Sequence, residues 1–249
     1  MPLRKFKRNI YSQNGEDGII EEIINRLNIK EKKNLWCCEF GAWDGINSSN
    51  TFALVEKYNC SAVYIEKNQK KFKKLFKTAE KFSSIIPINS FVDRYKSSEN
   101  SLDNILGKTK IPKDFDILSI DIDSYDLDVW ESLINYEPKI VIIEINSSIL
   151  PGILQKHGPT KQGSSFTSTV NAAKNKGYEL VCHTGNCIFV KKKFVNLLEI
   201  NNTFFENPEL LFERSWLLKN NNFILNFLKK FIPDFLLAFL KIFKKKLFK

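Results

Sequence analysis

The sequence predicts an α/β protein, an open and mostly parallel sheet with helices on both faces, followed by a helical C-terminal tail. Three observations carry this. Short apolar runs of strand length recur at 35–40, 61–65, 85–89, 115–120 and 140–145, with helical patterns between them. Four of these runs end in carboxylates, at Glu39, Glu66, Asp121 with Asp123, and Glu144. A glycine-bearing turn, Gly41-Ala42-Trp43-Asp44-Gly45, joins the first run to a helical pattern. In a parallel sheet, strand ends line one rim, which is where open α/β sheets bind ligands.

The first run, Leu35 to Phe40, reads as a buried strand with Glu39 facing the crevice at its carboxyl end. Gly41 and Gly45 would let the backbone approach a ligand, and Ser48-Ser49-Asn50-Thr51 opens the next helix. Glu66 follows Glu39 by 27 residues, near the spacing of about 20 for an acid that takes the two hydroxyls of a ribose. Ala42 and Trp43 stand where a pyrophosphate would need more glycine. A ligand with ribose and no pyrophosphate fits better, and S-adenosylmethionine is the candidate.

Elements follow in order. Residues 1–10 are basic and expected to be loose. Gln13, Glu16 and Asp17 precede an apolar helical pattern at Ile19, Ile20, Ile23, Ile24 and Leu27. They read either as helix caps or as a lid reaching cofactor or substrate. Residues 51–58 form a helix. Phe72, Leu75, Phe76 and Ala79 mark an amphipathic one with lysines on its solvated faces. Pro87 puts the third strand at a sheet edge, with Asn89 at its end. A short helix spans 102–106. The strand through Ile120 runs into Asp121, Asp123 and Asp126, and a helix over 127–135 turns Val129, Trp130 and Leu133 inward. The strand at 140–145 ends at Glu144 and Asn146. Residues 147–163 form a loop carrying His157, which could reach the crevice as a general base or lie on the surface. A helix spans 164–176 with Gly177 as its C-cap. Residues 178–183 and 187–190 pair as a hairpin about Thr184-Gly185-Asn186.

Composition sets limits. The net charge of +10 resides at the ends: Arg4, Lys5, Lys7 and Arg8 at one, seven lysines against Asp234 beyond residue 222 at the other. The body is near neutral, which argues against a nucleic-acid groove. Five cysteines with no Cys-x-x-Cys pair argue against a disulfide framework or structural zinc and for a reducing cytoplasm. No apolar run has membrane-spanning or signal-peptide length. From about residue 194 the character changes. After Pro233-Asp234, Leu236, Phe239, Leu240, Phe243 and Leu247 form an apolar stripe beside lysines. That basic helix suits an anionic membrane surface at the inner face, its own domain, or a twin subunit in a homodimer.

Asp121, Asp123, Glu144 and Asn146 supply hard oxygen atoms. They read either as caps and direct cofactor contacts or as ligands of Mg²⁺ or Mn²⁺.

The ordered set Ser12-Gln13-x-Gly15-Glu16-Asp17, Glu39-Phe40-Gly41-Ala42-x-Asp44-Gly45, Ile65-Glu66, Ile120-Asp121-Ile122-Asp123 and Ile143-Glu144 resembles the FkbM-like branch of class I S-adenosylmethionine-dependent methyltransferases. It covers about residues 10–192, so the expected division is a methyltransferase domain over 1–193 and an extension over 194–249. Ser124 departs from the family's acid-glycine pair. The resemblance implies a Rossmann-like sheet of seven strands whose last hairpin inserts one antiparallel strand. It implies methyl transfer to a hydroxyl, with a sugar or sugar-linked phosphate or phosphoramidate group in surface-polysaccharide (capsule) synthesis as acceptor. Gln13, Glu39, Gly41, Gly45, Glu66, Asn89 and Asp121 would then form the cofactor site. Asp121, Asp123, Glu144 and Asn146 would hold a divalent metal, and His157 and Asp121 would be catalytic. Two other classes stay open: a nicotinamide-dependent oxidoreductase, and a non-catalytic binding module held at a membrane by the basic tail.

Overall fold

A computed structural model describes residues 3–29 and 34–216. Seven strands form one sheet: β1 (Trp36–Phe40), β2 (Ser61–Ile65), β3 (Ile85–Ile88), β4 (Ile117–Ile120), β5 (Ile140–Glu144), β6 (Tyr178–His183) and β7 (Asn186–Lys191). Their order is β3-β2-β1-β4-β5-β7-β6, and β7 alone runs against its neighbours. This is the Rossmann-like sheet with an inserted antiparallel strand that the motifs imply. β3 is the edge that Pro87 demands, and Thr184-Gly185 makes the hairpin turn.

The helices are α1 (Glu16–Arg26), α2 (Phe52–Tyr58), α3 (Gln69–Lys81), α4 (Leu102–Gly107), α5 (Asp126–Ser132), α6 (Phe166–Asn175) and α7 (Thr203–Glu206). Local chemistry sets their ends. The Asn68 side chain accepts from the amides of Lys70 and Lys71 to start α3, and Ser165 accepts from Ser168 to start α6. Gly177, at φ +79°, closes the latter. β1, β4 and β5 are apolar on both faces because helices cover both; Cys37, Phe40, Ile117, Leu118 and Ile140 to Ile143 are all buried. Trp130, on α5, packs against Tyr178 and Phe189. All five cysteines are free and buried.

The expectation of a loose basic N-terminus is corrected. Residues Leu3–Phe6 form a 3-10 turn with Leu3 in the core. Arg4 donates to the Leu211 carbonyl, Lys7 pairs with Glu213, and Arg8 pairs with Glu21. Asp17 and Glu16 are neither caps nor lid groups. One oxygen of Asp17 accepts from the backbone N–H groups of Ile10, Tyr11 and Ser12 at 2.7–2.8 Å. Glu16 accepts from Thr184 at 2.7 Å and ties the same loop to the β6–β7 turn.

This compact unit runs to Glu213. Residue 194 therefore falls inside a packed segment, where Val195, Leu198, Leu211 and Phe212 are buried. Phe212 stacks on His183, 4.7 Å between centroids, and the Glu213 amide donates to His183 Nδ1. The basic amphipathic stripe at 236–247 lies outside the described residues. No described helix is long and apolar enough to cross a membrane.

Candidate active site

Parallel register decides which acids meet. Phe40 pairs with Ile65 on one side and Ile120 on the other, and Ile120 pairs with Ile143. One residue further on, Glu66, Gly41, Asp121 and Glu144 make a single row along the carboxyl rim. The chain runs from β1 outward to β2 and β3, then crosses back to β4 and β5, so its direction reverses between β1 and β4. That reversal opens the crevice where such sheets bind ligands. Gly41 and Asp121 flank it.

Glu39 lies two residues before Gly41, below the rim, paired with Tyr64 and Ser119. It is 5% exposed. Its oxygens accept from the Ser49 and Thr51 hydroxyls and the Asn50 amide. Burial pushes its carboxyl above the usual range, against the pull of those donors. The expected crevice-facing group is thus a brace beneath the β1–α2 turn. Asn50 completes the brace with a bond of 3.1 Å to Ser119 on β4.

The two glycines are also demanded by the fold itself. Gly41 (φ +81°) and Gly45 (φ +79°) need left-handed backbone. A Cβ at Gly41 would run into the Asp121 carbonyl, and one at Gly45 would meet Leu75 at 2.7 Å. At both positions the backbone approaches this chain's own atoms closely.

Glu66, 5% exposed, accepts from the Trp43 amide at 3.0 Å through one oxygen and from the Asn68 amide at 2.6 Å through the other. Asn89 points its amide at the Glu66 carbonyl, 2.6 Å, and fixes that strand end. Trp43, at φ +50° and 40% exposed, stands beside Glu66 with Lys71 over its ring. Gln13 donates to Ser48 at 2.6 Å, which closes the N-terminal loop onto the β1–α2 turn.

Asp121, Asp123 and Glu144 converge, with one oxygen from each lying within 4.8 Å of the others. Asp121 and Glu144 are row neighbours; Asp123 reaches them because its backbone turns left-handed, φ +57°. Asp126 holds that turn by accepting from the Ile122 and Ser124 amides, both at 2.8 Å. The left-handed residue is Asp123, so Ser124 needs no glycine. Burial, then the neighbouring acids, push Asp121 up to about 7 and Glu144 up to about 9. Their mutual hydrogen bond favours the charged form of Asp121 and the neutral form of Glu144. Of the pair, Glu144 is therefore the group that holds its proton more tightly.

Two expected members of the site are engaged elsewhere. Asn146 accepts from the Ser148 amide and hydroxyl and donates to the Gln162 carbonyl at 2.9 Å, so its amide organises the 147–163 loop. His157 Nδ1 accepts from the Gly163 amide at 3.1 Å. In the neutral ring this puts the proton on Nε2, so the outward nitrogen donates. That is the wrong tautomer for a base. Its ring meets the Tyr125 ring edge-on at 4.5 Å, and the Arg94 guanidinium lies 3.9 Å over Tyr125. Neither partner stood out in the sequence. Arg94-Tyr95 belongs to an aperiodic loop, and Tyr125 looks like an ordinary helix start.

No family model matches the chain, and no curated protein matches it. Among solved structures it is similar to TrmK of M. capricolum in complex with S-adenosyl-homocysteine, at 18% identity and TM-score 0.45, over 88% of this chain and 92% of that one. It is similar to TYW2 of M. jannaschii in complex with AdoMet, at 14% identity and TM-score 0.39, over 74% of this chain and 76% of that one. Monomeric WbdD is similar at 14% identity and TM-score 0.45, over 74% of this chain and 42% of that one.

Proposed function

We propose that the chain is an S-adenosylmethionine-dependent O-methyltransferase acting on a sugar or sugar-linked phosphate group in surface-polysaccharide synthesis. The carrying observation is the rim row. Glu66 stands on one side of the side-chain-free gap at Gly41, and Asp121 with Glu144 on the other, across the reversal between β1 and β4. Each Glu66 oxygen accepts one backbone N–H and keeps a lone pair, which matches two vicinal ribose hydroxyls. Trp43 adds a flat apolar surface beside it.

S-adenosylmethionine, when bound, supplies an electrophilic methyl group on a sulfonium. The chain's own work is to hold the acceptor hydroxyl in line and to take its proton. Asp121 suits the second task, since a carboxylate raised to about 7 is a base matched to neutral pH. Protonated Glu144 steadies it by donating a hydrogen bond. Three carboxylates whose repulsion is otherwise relieved only by protonation also fit a hard divalent cation. Asp121, Asp123 and Glu144 would hold it, and it would lower the pKa of an oxygen bound to it.

Calorimetric titration with S-adenosylhomocysteine, with and without Mg²⁺ or Mn²⁺, tests the reading. Micromolar binding is expected. Glu66→Ala should weaken it about ten- to a hundredfold, the size of lost hydrogen bonds to a charged group. No binding under any of these conditions would refute the proposal.

A further inference from the structure

Three loops at the carboxyl rim, those after β3, β4 and β5, are joined by one column of side chains. The Arg94 guanidinium sits over the Tyr125 ring, 3.9 Å from its centroid, and Tyr125 meets the His157 ring edge-on. The Arg94 guanidinium is fixed further by donating to the Tyr95 hydroxyl at 2.6 Å. Among the described residues no carboxylate forms an ion pair with it. A guanidinium has five N–H donors in a planar fork, and Arg94 spends part of that set on the Tyr95 and Tyr125 hydroxyls. His157, with Nδ1 accepting from the Gly163 amide, carries its proton on Nε2 in the neutral ring and offers it as a second donor. Tyr125 is two residues beyond Asp123, so this cationic, donor-only column stands next to the acidic cluster at the same rim.

We infer that Arg94, seated on Tyr125 and flanked by the Nε2–H of His157, binds an anionic oxygen group, phosphate or carboxylate, on the molecule that enters beside the acidic cluster. Asp128 senses the Arg94 charge, but no carboxylate stands within ion-pair distance among the described residues, and a guanidinium so placed is arranged to take two oxygens of such a group in parallel. The charge also answers an electrostatic problem. The ionised members of the acidic cluster repel an anionic molecule, and a fixed cation on a neighbouring loop holds its charged end while a neutral hydroxyl faces the acids. That this molecule is the methyl acceptor rests on the methyltransferase reading. The anion site itself rests on the column.

The test uses full-length protein saturated with S-adenosylhomocysteine, titrated with inorganic phosphate, glucose 1-phosphate, glucuronate and glucose. Binding of glucose 1-phosphate or glucuronate but not glucose is expected, and the tighter of the two identifies phosphate or carboxylate. Arg94→Gln should lose tenfold or more in affinity for the charged probe, and Arg94→Lys should recover only part, because an ammonium lacks the planar fork. Affinity for S-adenosylhomocysteine and the thermal midpoint should stay at wild-type values in both variants. The inference is overturned if no anionic probe binds wild type, if glucose binds as tightly, or if Arg94→Gln binds the charged probe unchanged. Protein that binds the charged probe but never S-adenosylhomocysteine would refute the methyltransferase reading while leaving the anion site standing.

Discussion

Replacing Gly41 with alanine tests whether the crevice floor is set by contact between main chains. Gly41 has φ +81°, where an L-residue costs roughly 1–2 kcal/mol. The added methyl would overlap the Asp121 carbonyl oxygen and lie 2.8 Å from its carbon. Both atoms are backbone, so no rotamer change relieves the overlap. The ends of β1 and β4 must part, at the expense of the bonds from the Gly41 amide to Ile65 and from the Asp121 amide to Phe40, 3.1 and 3.3 Å. Losing one such bond costs about 1 kcal/mol or more. Together the variant should lose about 3–5 kcal/mol, and each kcal/mol lowers the melting temperature of a domain this size by about 2–4 °C. Gly107 is the control: it ends α4, a Cβ there meets nothing within 4 Å, and Gly107→Ala should stay near neutral or stabilise by up to about 1 kcal/mol. Both variants are followed by circular dichroism on heating and in urea. Equal midpoints for Gly41→Ala and Gly107→Ala would refute the reasoning.

Two further outcomes follow from buried charge. Lys139 donates to Asp116 and to the Asp114 carbonyl, both at 2.7 Å, with both side chains of the ion pair nearly buried. Lys139→Met strands the Asp116 carboxylate and should cost roughly 3–5 kcal/mol in urea denaturation; a loss under 1 kcal/mol would contradict the pairing. For the acid pair, folded values of about 7 and 9 lie above the unfolded values near 4. The native state therefore holds more protons between pH 4 and 9. Its stability from this pair is complete below about pH 4 and is lost as pH rises through the folded values, on the order of a few kcal/mol in all. Denaturation in chelator from pH 5 to 9 should show that loss, Glu144→Gln should flatten it, and Mg²⁺ or Mn²⁺ should suppress it if the acids hold a cation. A slope identical in Glu144→Gln would place the titration elsewhere.

The sheet was legible because its signals are local. Apolar runs, the helical spacing of Phe72, Leu75 and Ala79, and Pro87 at an edge each speak for a few residues at a time. The convergence of Asp121, Asp123 and Glu144 was legible for the same reason, since each follows an apolar run. Glu39 was misplaced because its depth depends on register with Tyr64 and Ser119, partners distant in sequence. The packing role of the glycines was not legible, because the sequence does not say that Asp121 returns against Gly41. His157 was read from its residue type and its place in the loop after the Glu144 strand, whereas its tautomer is fixed by an amide six residues away across a loop turn. Arg94 acquires meaning only from Tyr125 beneath it, a contact between loops without periodicity.

The antiparallel insertion of β7 has a consequence for how the chain comes off the ribosome. β7 lies between β5 and β6, so the apolar β5 segment Ile140–Ile143 keeps an unpaired edge until residues 178–191 have emerged. Glu16 has its bond to Thr184 only after that, and Arg4 and Lys7 reach Leu211 and Glu213 later still. Residues 4–16 thus gain these partners only once residues 178–213 are present. A nascent chain stalled before residue 178 would expose a sticky β5 edge, the kind of species that chaperones shield and that otherwise aggregates.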